Sequence, residues 1–414
     1  MLYFKRTIIA GMILFLFAPL TALDNEEDIL LLKIGNSSLK EKQISVYPNT
    51  LYSMQKGRPL TFADMIDEMK TSKFVYIGES HNDLAMHDFQ TRVIQAFVKS
   101  GRDVAIGLEM MTVSYQETLN KWWLGLLSRE EFIRESRWYE NWNMNFGFYE
   151  KIFNFAKDNR IPMYGLNAPR KIISKIRMQG WEALSDEEKK FIPQPDLTHQ
   201  DHRFLIRTIF ENTDLPPQMK GAGLDMMFEG LYRSQSAWDE VMAENAVKAY
   251  GSEKRLIVVL AGSGHFLYNL GINRRAFERS QLPFKSVLSV IIPSGEECVH
   301  VSRSVSDYIW GIQEEEYPAY PAVGLSFKKF KELENLVIDK TPKDGVAEDK
   351  GFEKGDIILT VDDKPFNCIN EIRYYLSRFG WGDQASFRVL RDGVIKEIVL
   401  LFEIPEADET QPAE

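Results

Sequence analysis

Five short, continuous apolar runs constrain this chain more than any other feature. The first is Phe74-Val75-Tyr76-Ile77, stopped by Gly78. The others occupy 104–108, 163–166, 256–260 and 287–292, stopped by Glu109, Asn167, Ala261-Gly262 and Pro293. Runs apolar at every position, not at every second one, suit strands buried on both faces, as in a parallel sheet. The stretches between them carry helical periodicity, for example at 88–99 and 238–250. The pattern predicts an α/β domain with a mostly parallel sheet over 60–303. Two helical insertions are expected. One, at 112–157, is rich in aromatics (Trp122, Trp123, Trp138, Trp142, Phe146, Phe148, Tyr149). The other, at 171–250, includes Met226 and Met227. An aromatic cap over the C-terminal edge of the sheet would offer an apolar pocket.

With 414 residues the chain has room for two or three domains. Residues 1–22 read as a secretory signal peptide: Lys5-Arg6, an apolar run from Thr7 to Leu20, and Ala22 before acidic sequence. That run is shorter than the ~20 residues a spanning helix needs, so cleavage and an exported, periplasmic or cell-envelope location are expected. No Cys stands near the cleavage point to carry a lipid anchor. Net charge is −10, about −12 after cleavage, which excludes general nucleic-acid binding because phosphate contacts need a basic surface. Cys298 and Cys368 fall in different expected domains, so two unpaired thiols are expected. Residues 23–59 read as a polar N-terminal segment, 304–320 as a linker, and 405–414 as a disordered acidic tail.

In an open parallel sheet the C-terminal strand ends share one edge, where ligand crevices form. The segments that follow the runs therefore bring Glu79, His81, Glu109, Asn167, Arg170 and His265 to one place. Two Gly-x-x-His turns, Gly78 to His81 and Gly262 to His265, recur at equivalent strand ends. With Glu79 and Glu109 beside them, they suit a general acid–base pair or a divalent metal such as Zn, Mn or Fe. His87, two helical turns beyond His81, is a further candidate.

Gly78-Glu79-Ser80-His81-Asn82, His87, Gln90, Gly107-Leu108-Glu109-Met110, Leu166-Asn167-Ala168-Pro169-Arg170, Trp238-Asp239-Glu240-Val241-Met242-Ala243 and Leu260-Ala261-Gly262-Ser263-Gly264-His265 resemble the ChaN-like proteins in order and spacing. The resemblance implies haem binding and bacterial iron uptake. It also implies tyrosine ligation at a homodimer interface, for which Tyr115, Tyr139, Tyr149 and Tyr232 are the candidates. The wider superfamily takes in the Tiki and TraB proteins, whose paired Gly-x-x-His turns look like a metal-dependent hydrolase site. Family members are often lipoproteins, from which this chain departs.

The pattern changes after residue 320. Gly324-Leu325-Ser326-Phe327 resembles the carboxylate-binding loop of PDZ domains, and Gly351-Phe352-Glu353-Lys354-Gly355-Asp356-Ile357-Ile358 their central signature. Residues 369–378 read as the amphipathic groove helix, and Asp392-Gly393 as the turn of a closing hairpin. A PDZ-like, β-rich domain over 321–404 that captures peptide or protein C-termini is implied. Three functions are open at this point: a haem-binding envelope protein with a peptide-binding module, a metal-dependent hydrolase fed by that module, and a non-enzymatic adaptor.

Overall fold

The computed structural model describes residues 28–212, 223–253 and 255–404. The expected signal peptide (1–22) and the expected acidic tail (405–414) lie outside the described residues. The described residues divide into two compact units, the larger formed by 28–127 and 149–314, the smaller by 128–148 and 315–404.

The larger unit holds β1 (Gln43–Val46), β2 (Leu51–Ser53), β3 (Arg58–Pro59), β4 (Phe74–Glu79), β5 (Val104–Thr112), β6 (Met163–Asn167), β7 (Leu256–Gly262), β8 (Phe284–Ile292), β9 (Val299–Ser302) and β10 (Tyr308–Gln313). Eight of these form one mixed sheet in the order β3-β2-β10-β8-β4-β7-β5-β6. From β10 to β6 every pairing is parallel; β2 and β3 close one end antiparallel. β4, β5 and β7 are buried at every position, as their unbroken apolar runs require. β1 and β9 pair separately.

Helices α1 (Phe62–Glu68), α2 (Leu84–Lys99) and α3 (Gln116–Trp123) precede a detour of the chain into the smaller unit, which carries α4 (Arg129–Glu135) and α5 (Trp138–Asn141). Then come α6 (Gly147–Asp158), α7 (Arg170–Gln179), α8 (Asp186–Lys189), α9 (Gln200–Glu211), α10 (Gly223–Glu253) and α11 (Ile272–Ser280). α2 shows why such segments are helical. The Asp83 side chain caps its N-terminus by accepting from Met86 N, and Lys99 sits in its last turn. Met86, Phe89, Val93 and Phe97, spaced three or four apart, are buried along one face.

Three boundaries differ from the sequence-based expectation. Residues 28–59 are not a polar preamble: Leu30, Leu32, Ile34, Val46, Tyr52 and Met54 are buried in the main core. Residues 304–320 are not simply a linker, because β10 lies within them and pairs in parallel with β8 through Tyr308↔Val287 to Gln313↔Ile292. Glu109, expected just beyond a strand end, lies inside β5, whose pairing with β6 shifts register between Leu108 and Thr112.

The smaller unit contains an antiparallel sheet, β11 (Phe327–Lys329), β12 (Leu336–Ile338), β13 (Ile357–Val361), β14 (Gln384–Arg391) and β15 (Val394–Leu401), in that spatial order, and the helix α12 (Ile369–Leu376). Its core joins Phe327, Ile358, Ile372, Leu376, Phe387 and Phe402. Asp392 and Gly393 both take positive φ, 50° and 79°, the conformation that a two-residue hairpin turn demands.

The detour at 128–148 lies against α12. Tyr139 N donates to Asn370 Oδ1 at 2.9 Å, Arg373 Nη1 to the Tyr139 carbonyl at 2.8 Å, and Tyr139 OH to Ser377 Oγ at 2.7 Å. Asn370, Arg373, Tyr374 and Ser377 recur at helical spacing on the side of α12 away from its buried Ile372 and Leu376. This corrects the expected aromatic cap. Phe132, Trp138 and Phe146 pack on one another with centroids 5.1–6.5 Å apart, and Phe148 meets Tyr320 edge-on at 4.8 Å, all within the smaller unit. Trp122 instead belongs to the larger unit, against Phe153. Cys298 and Cys368 are both free. Among the described residues no helix is long and apolar enough to cross a membrane.

Replacing Asn370 with Ala removes the acceptor of a buried backbone N–H. Unfolding of the smaller unit in urea should then be easier by about 1–3 kcal/mol. Limited proteolysis should cut within 128–148 sooner than in the unmodified protein.

Candidate functional site

Adjacent parallel strands align their C-terminal ends, and the site follows from that register. Glu79, the last residue of β4, lies opposite Gly262 on β7, and Leu108 on β5 lies opposite Leu260. Glu109 therefore sits one residue from the start of the Gly262 turn. Its Oε2 accepts from Gly262 N at 2.7 Å, so the carboxylate holds the turn that presents His265. Gly271 fixes the other side of that turn, because a Cβ there would collide with the His265 carbonyl.

Two carboxylate–imidazole groups result. In the first, His81 Nδ1 lies 2.5 Å from Glu79 Oε1. His87 Nε2 lies 3.5 Å from Glu79 Oε2, and Tyr149 OH donates to Glu79 Oε1 at 3.4 Å. The His87 ring packs on Tyr149 at 4.4 Å, and its Nδ1 is 3.2 Å from Gln90 Oε1.

In the second, His265 lies between two carboxylates. Nε2 is 3.2 Å from Glu109 Oε1, and Nδ1 is 2.5 Å from Asp239 Oδ1. The Gln235 amide lies beside the latter contact, 2.9 Å from Nδ1. Asp239 Oδ2 faces His202 Nε2 at 3.2 Å and Arg275 Nη1 at 3.6 Å. Arg275 Nε donates to Glu240 Oε2 at 3.0 Å. His265 is 1% exposed, Asp239 0% and Glu109 4%, so these charges interact without intervening solvent.

Burial alone would lower the pKa of His265, but Glu109 and Asp239 more than offset it and push it up to about 10. Burial would raise Asp239, yet His265, His202 and Arg275 hold it well below the usual carboxylate range. Glu109 is lowered despite burial, chiefly by His265 and with help from His81. His202 is pushed down to about 4 by burial and by the Arg275 charge, against the pull of Asp239, so near neutral pH it is uncharged. The two carboxylates that flank the ring thus favour the imidazolium form of His265 near neutral pH.

Among the described residues no three His, Cys, Asp or Glu side chains are grouped to hold a metal ion. His81 pairs most closely with Glu79 and His265 with Glu109, and the His81 charge also acts on Glu109. Asn167 and Arg170 stand at the edge. The Asn167 amide donates to the Glu109 carbonyl at 3.1 Å, tying β6 to β5. Arg170 opens α7; burial lowers its pKa, and the Glu109 charge opposes that shift. Four partners escaped the sequence-based candidate set: His202 on α9, Gln235 and Asp239 on α10, and Arg275 on α11. For Asp239 a signal existed, an acidic residue inside the apolar helical stretch around Ala237, Val241 and Met242.

A mostly parallel α/β sheet with paired His–carboxylate groups at its strand ends, followed by a small antiparallel peptide-binding-type module, defines the class. The family model for haem-binding uptake proteins, Tiki superfamily, ChaN, matches residues 65–276, and the PDZ domain model matches 321–401. The chain belongs to the ChaN family and carries a C-terminal PDZ domain. It is similar to ChaN of Campylobacter jejuni, solved with cofacial haem. That likeness has 18% identity and a TM-score of 0.50, and covers 64% of this chain and 96% of the other. Protein RETICULATA-RELATED 5, chloroplastic, of Arabidopsis thaliana is 20% identical over 261 residues, 59% of this chain. The chain spans only 34% of that relative's length. An HtrA-type protease, AlgW, solved with a decapeptide, matches 22% of this chain and 30% of its own at 21% identity, with a TM-score of 0.20.

Two predictions follow from the charge chain. Asp239→Ala removes the buried carboxylate shared by His265, His202 and Arg275 and should destabilise the larger unit by about 3–5 kcal/mol in urea unfolding. The second concerns pH. The folded-state pKa of His265 lies above its unfolded value of 6.5. Its contribution to stability is therefore complete below pH 6.5 and is lost as pH rises toward about 10. The urea midpoint should fall across that window, and the fall should be shallower in His265→Gln.

Proposed function

We propose that this protein is exported to the cell envelope, binds haem there in the service of iron uptake, and captures peptide or protein termini with its PDZ domain. The observation that carries the reading is the ChaN family match across 65–276, which spans the paired His–carboxylate groups of the larger unit. Export rests on Lys5-Arg6, the apolar run to Leu20 and Ala22.

The strand-end cluster does not fit haem. Its imidazoles and carboxylates are engaged with one another and are 0–4% exposed, which leaves no room for a macrocycle among them. The tyrosines divide more usefully. Tyr139 is committed to Ser377 and to Phe146 N, Tyr149 to Glu79 and the His87 ring, and Tyr232 is fully buried against His202 and Phe228. Tyr115, in the turn after β5, is half-buried, and among the described residues no hydrogen bond engages its hydroxyl. A phenolate oxygen is an established donor to haem iron, so Tyr115 is the residue that fits the ligand. The role of the buried charge chain is then to hold the strand ends and the β5 segment leading to Tyr115 in place.

Titration of the mature protein with haem should produce a Soret shift, and Tyr115→Phe should weaken binding at least about tenfold, the loss of one direct ligand. Absence of any shift in the folded protein overturns haem binding. Tyr149→Phe is the control and should leave affinity within about twofold. Export is tested separately by cell fractionation with and without residues 1–22.

A further inference from the structure

Among the described residues β11 is an edge strand, paired only with β12. Asp339 N donates to the Ser326 carbonyl at 2.8 Å, which makes Ser326–Asp339 a hydrogen-bonded pair. Bonded and non-bonded pairs alternate along an antiparallel ladder, so the N–H and C=O of Phe327 point to the open edge. Just ahead of them Gly324 takes φ +76°, and the amides of Leu325 and Ser326 donate to nothing among the described residues. Phe327, Ile372 and Leu376 are buried beside this edge, with Leu325 half-buried against them. This is an open strand edge preceded by a glycine turn, with buried apolar side chains behind it, the arrangement that strand addition uses.

Its charge sets it apart. The chain as a whole is −10, yet the open strand is Phe327-Lys328-Lys329, with Lys331 immediately after it. Lys343, whose N–H donates to the Gly324 carbonyl, and Lys340 stand next to the turn. Lys328 and Lys329 are exposed; the Lys328 ammonium stands 4.8 Å over the Phe330 ring, and Lys329 reaches the Glu334 carbonyl. The nearby opposing charges are Asp339, then Asp344 and Glu348 beside Lys343 at the turn, and Glu332 and Glu334 in the β11–β12 turn beyond the strand. Glu371 is the exposed acid on the groove helix, and Arg373 on that helix is engaged by the Tyr139 carbonyl.

From this charge reversal we infer that the PDZ groove selects chains that end in an apolar residue with a free carboxylate and carry acidic residues one to three positions upstream. The upstream side chains of a strand added at the open edge of β11 lie across from Lys328 and Lys329. Opposite charges facing each other across a ladder are favourable, and like charges are not. Lys331 extends the same preference further from the terminus. The inference rests on the peptide-capture reading above and adds the chemistry of the partner.

The test uses the full mature protein and short fluorescein-labelled peptides ending in Val, Leu or Phe. Upstream residues are Glu-Asp in one series and Gln-Asn in the other, and each peptide is also made with an amidated terminus. The acidic series should bind about five- to tenfold tighter at low salt. The gap should narrow as salt is raised and close in the Lys328→Gln, Lys329→Gln double variant. Those side chains are exposed, so the fold should survive, and the neutral series should bind that variant as before. Equal affinity of the two series would overturn the acidic preference while leaving terminus capture standing. Equal binding of free and amidated peptides, or none by any peptide, would overturn terminus capture itself and the preference with it.

Discussion

A buried chain of ion pairs and hydrogen bonds centred on His265 ties the larger unit's strand ends together. Glu109 and Asp239 sit on opposite sides of the ring, and each carboxylate is in turn anchored: Glu109 by Gly262 N, Asp239 by His202 and Arg275. This ties β5, β7, α9, α10 and α11 to one charge balance. Removing one of the charged members leaves its partners short of a counter-charge in a dry site, a far larger penalty than losing an exposed ion pair. The neighbouring Glu79 group, with His81, His87 and Tyr149, ties β4 to α2 and α6 in the same manner.

The sheet was legible in the sequence because parallel strands buried on both faces leave unbroken apolar runs, and all five runs became strands. The convergence of Glu79, His81, Glu109 and His265 on one edge was legible for a related reason, since topology brings strand ends together whatever the residues do. Their division into two pairs was not. It depends on Asp239, which reaches His265 from a helix 26 residues earlier in the chain; the sequence marks the acidic pair Asp239-Glu240 but not which histidine either would meet. β10 was missed because its apolar run is short, is broken by Gly311 and runs straight into acidic, proline-containing sequence, and because its parallel partner β8 is not its neighbour in a hairpin.

The aromatic insertion was the most instructive difference. Its composition is that of a ligand-pocket wall, but the backbone places it against α12, where its polar groups meet a complementary polar stripe and its rings form a small core of their own. Composition alone cannot say which surface an amphipathic segment will cover. That is settled by hydrogen-bonding groups hundreds of residues away, such as Asn370.

This arrangement also sets an order of events during synthesis. The Tyr139–Asn370 bond joins residues 231 apart in sequence. At roughly 5–20 residues per second, the 128–148 segment would leave the ribosome on the order of ten seconds or more before its partner helix exists. Trp138, Phe146 and their neighbours must spend that interval uncovered, or held by something else. Handling of the nascent chain, more than the final stability of either unit, is then the step at which this architecture is most exposed to failure.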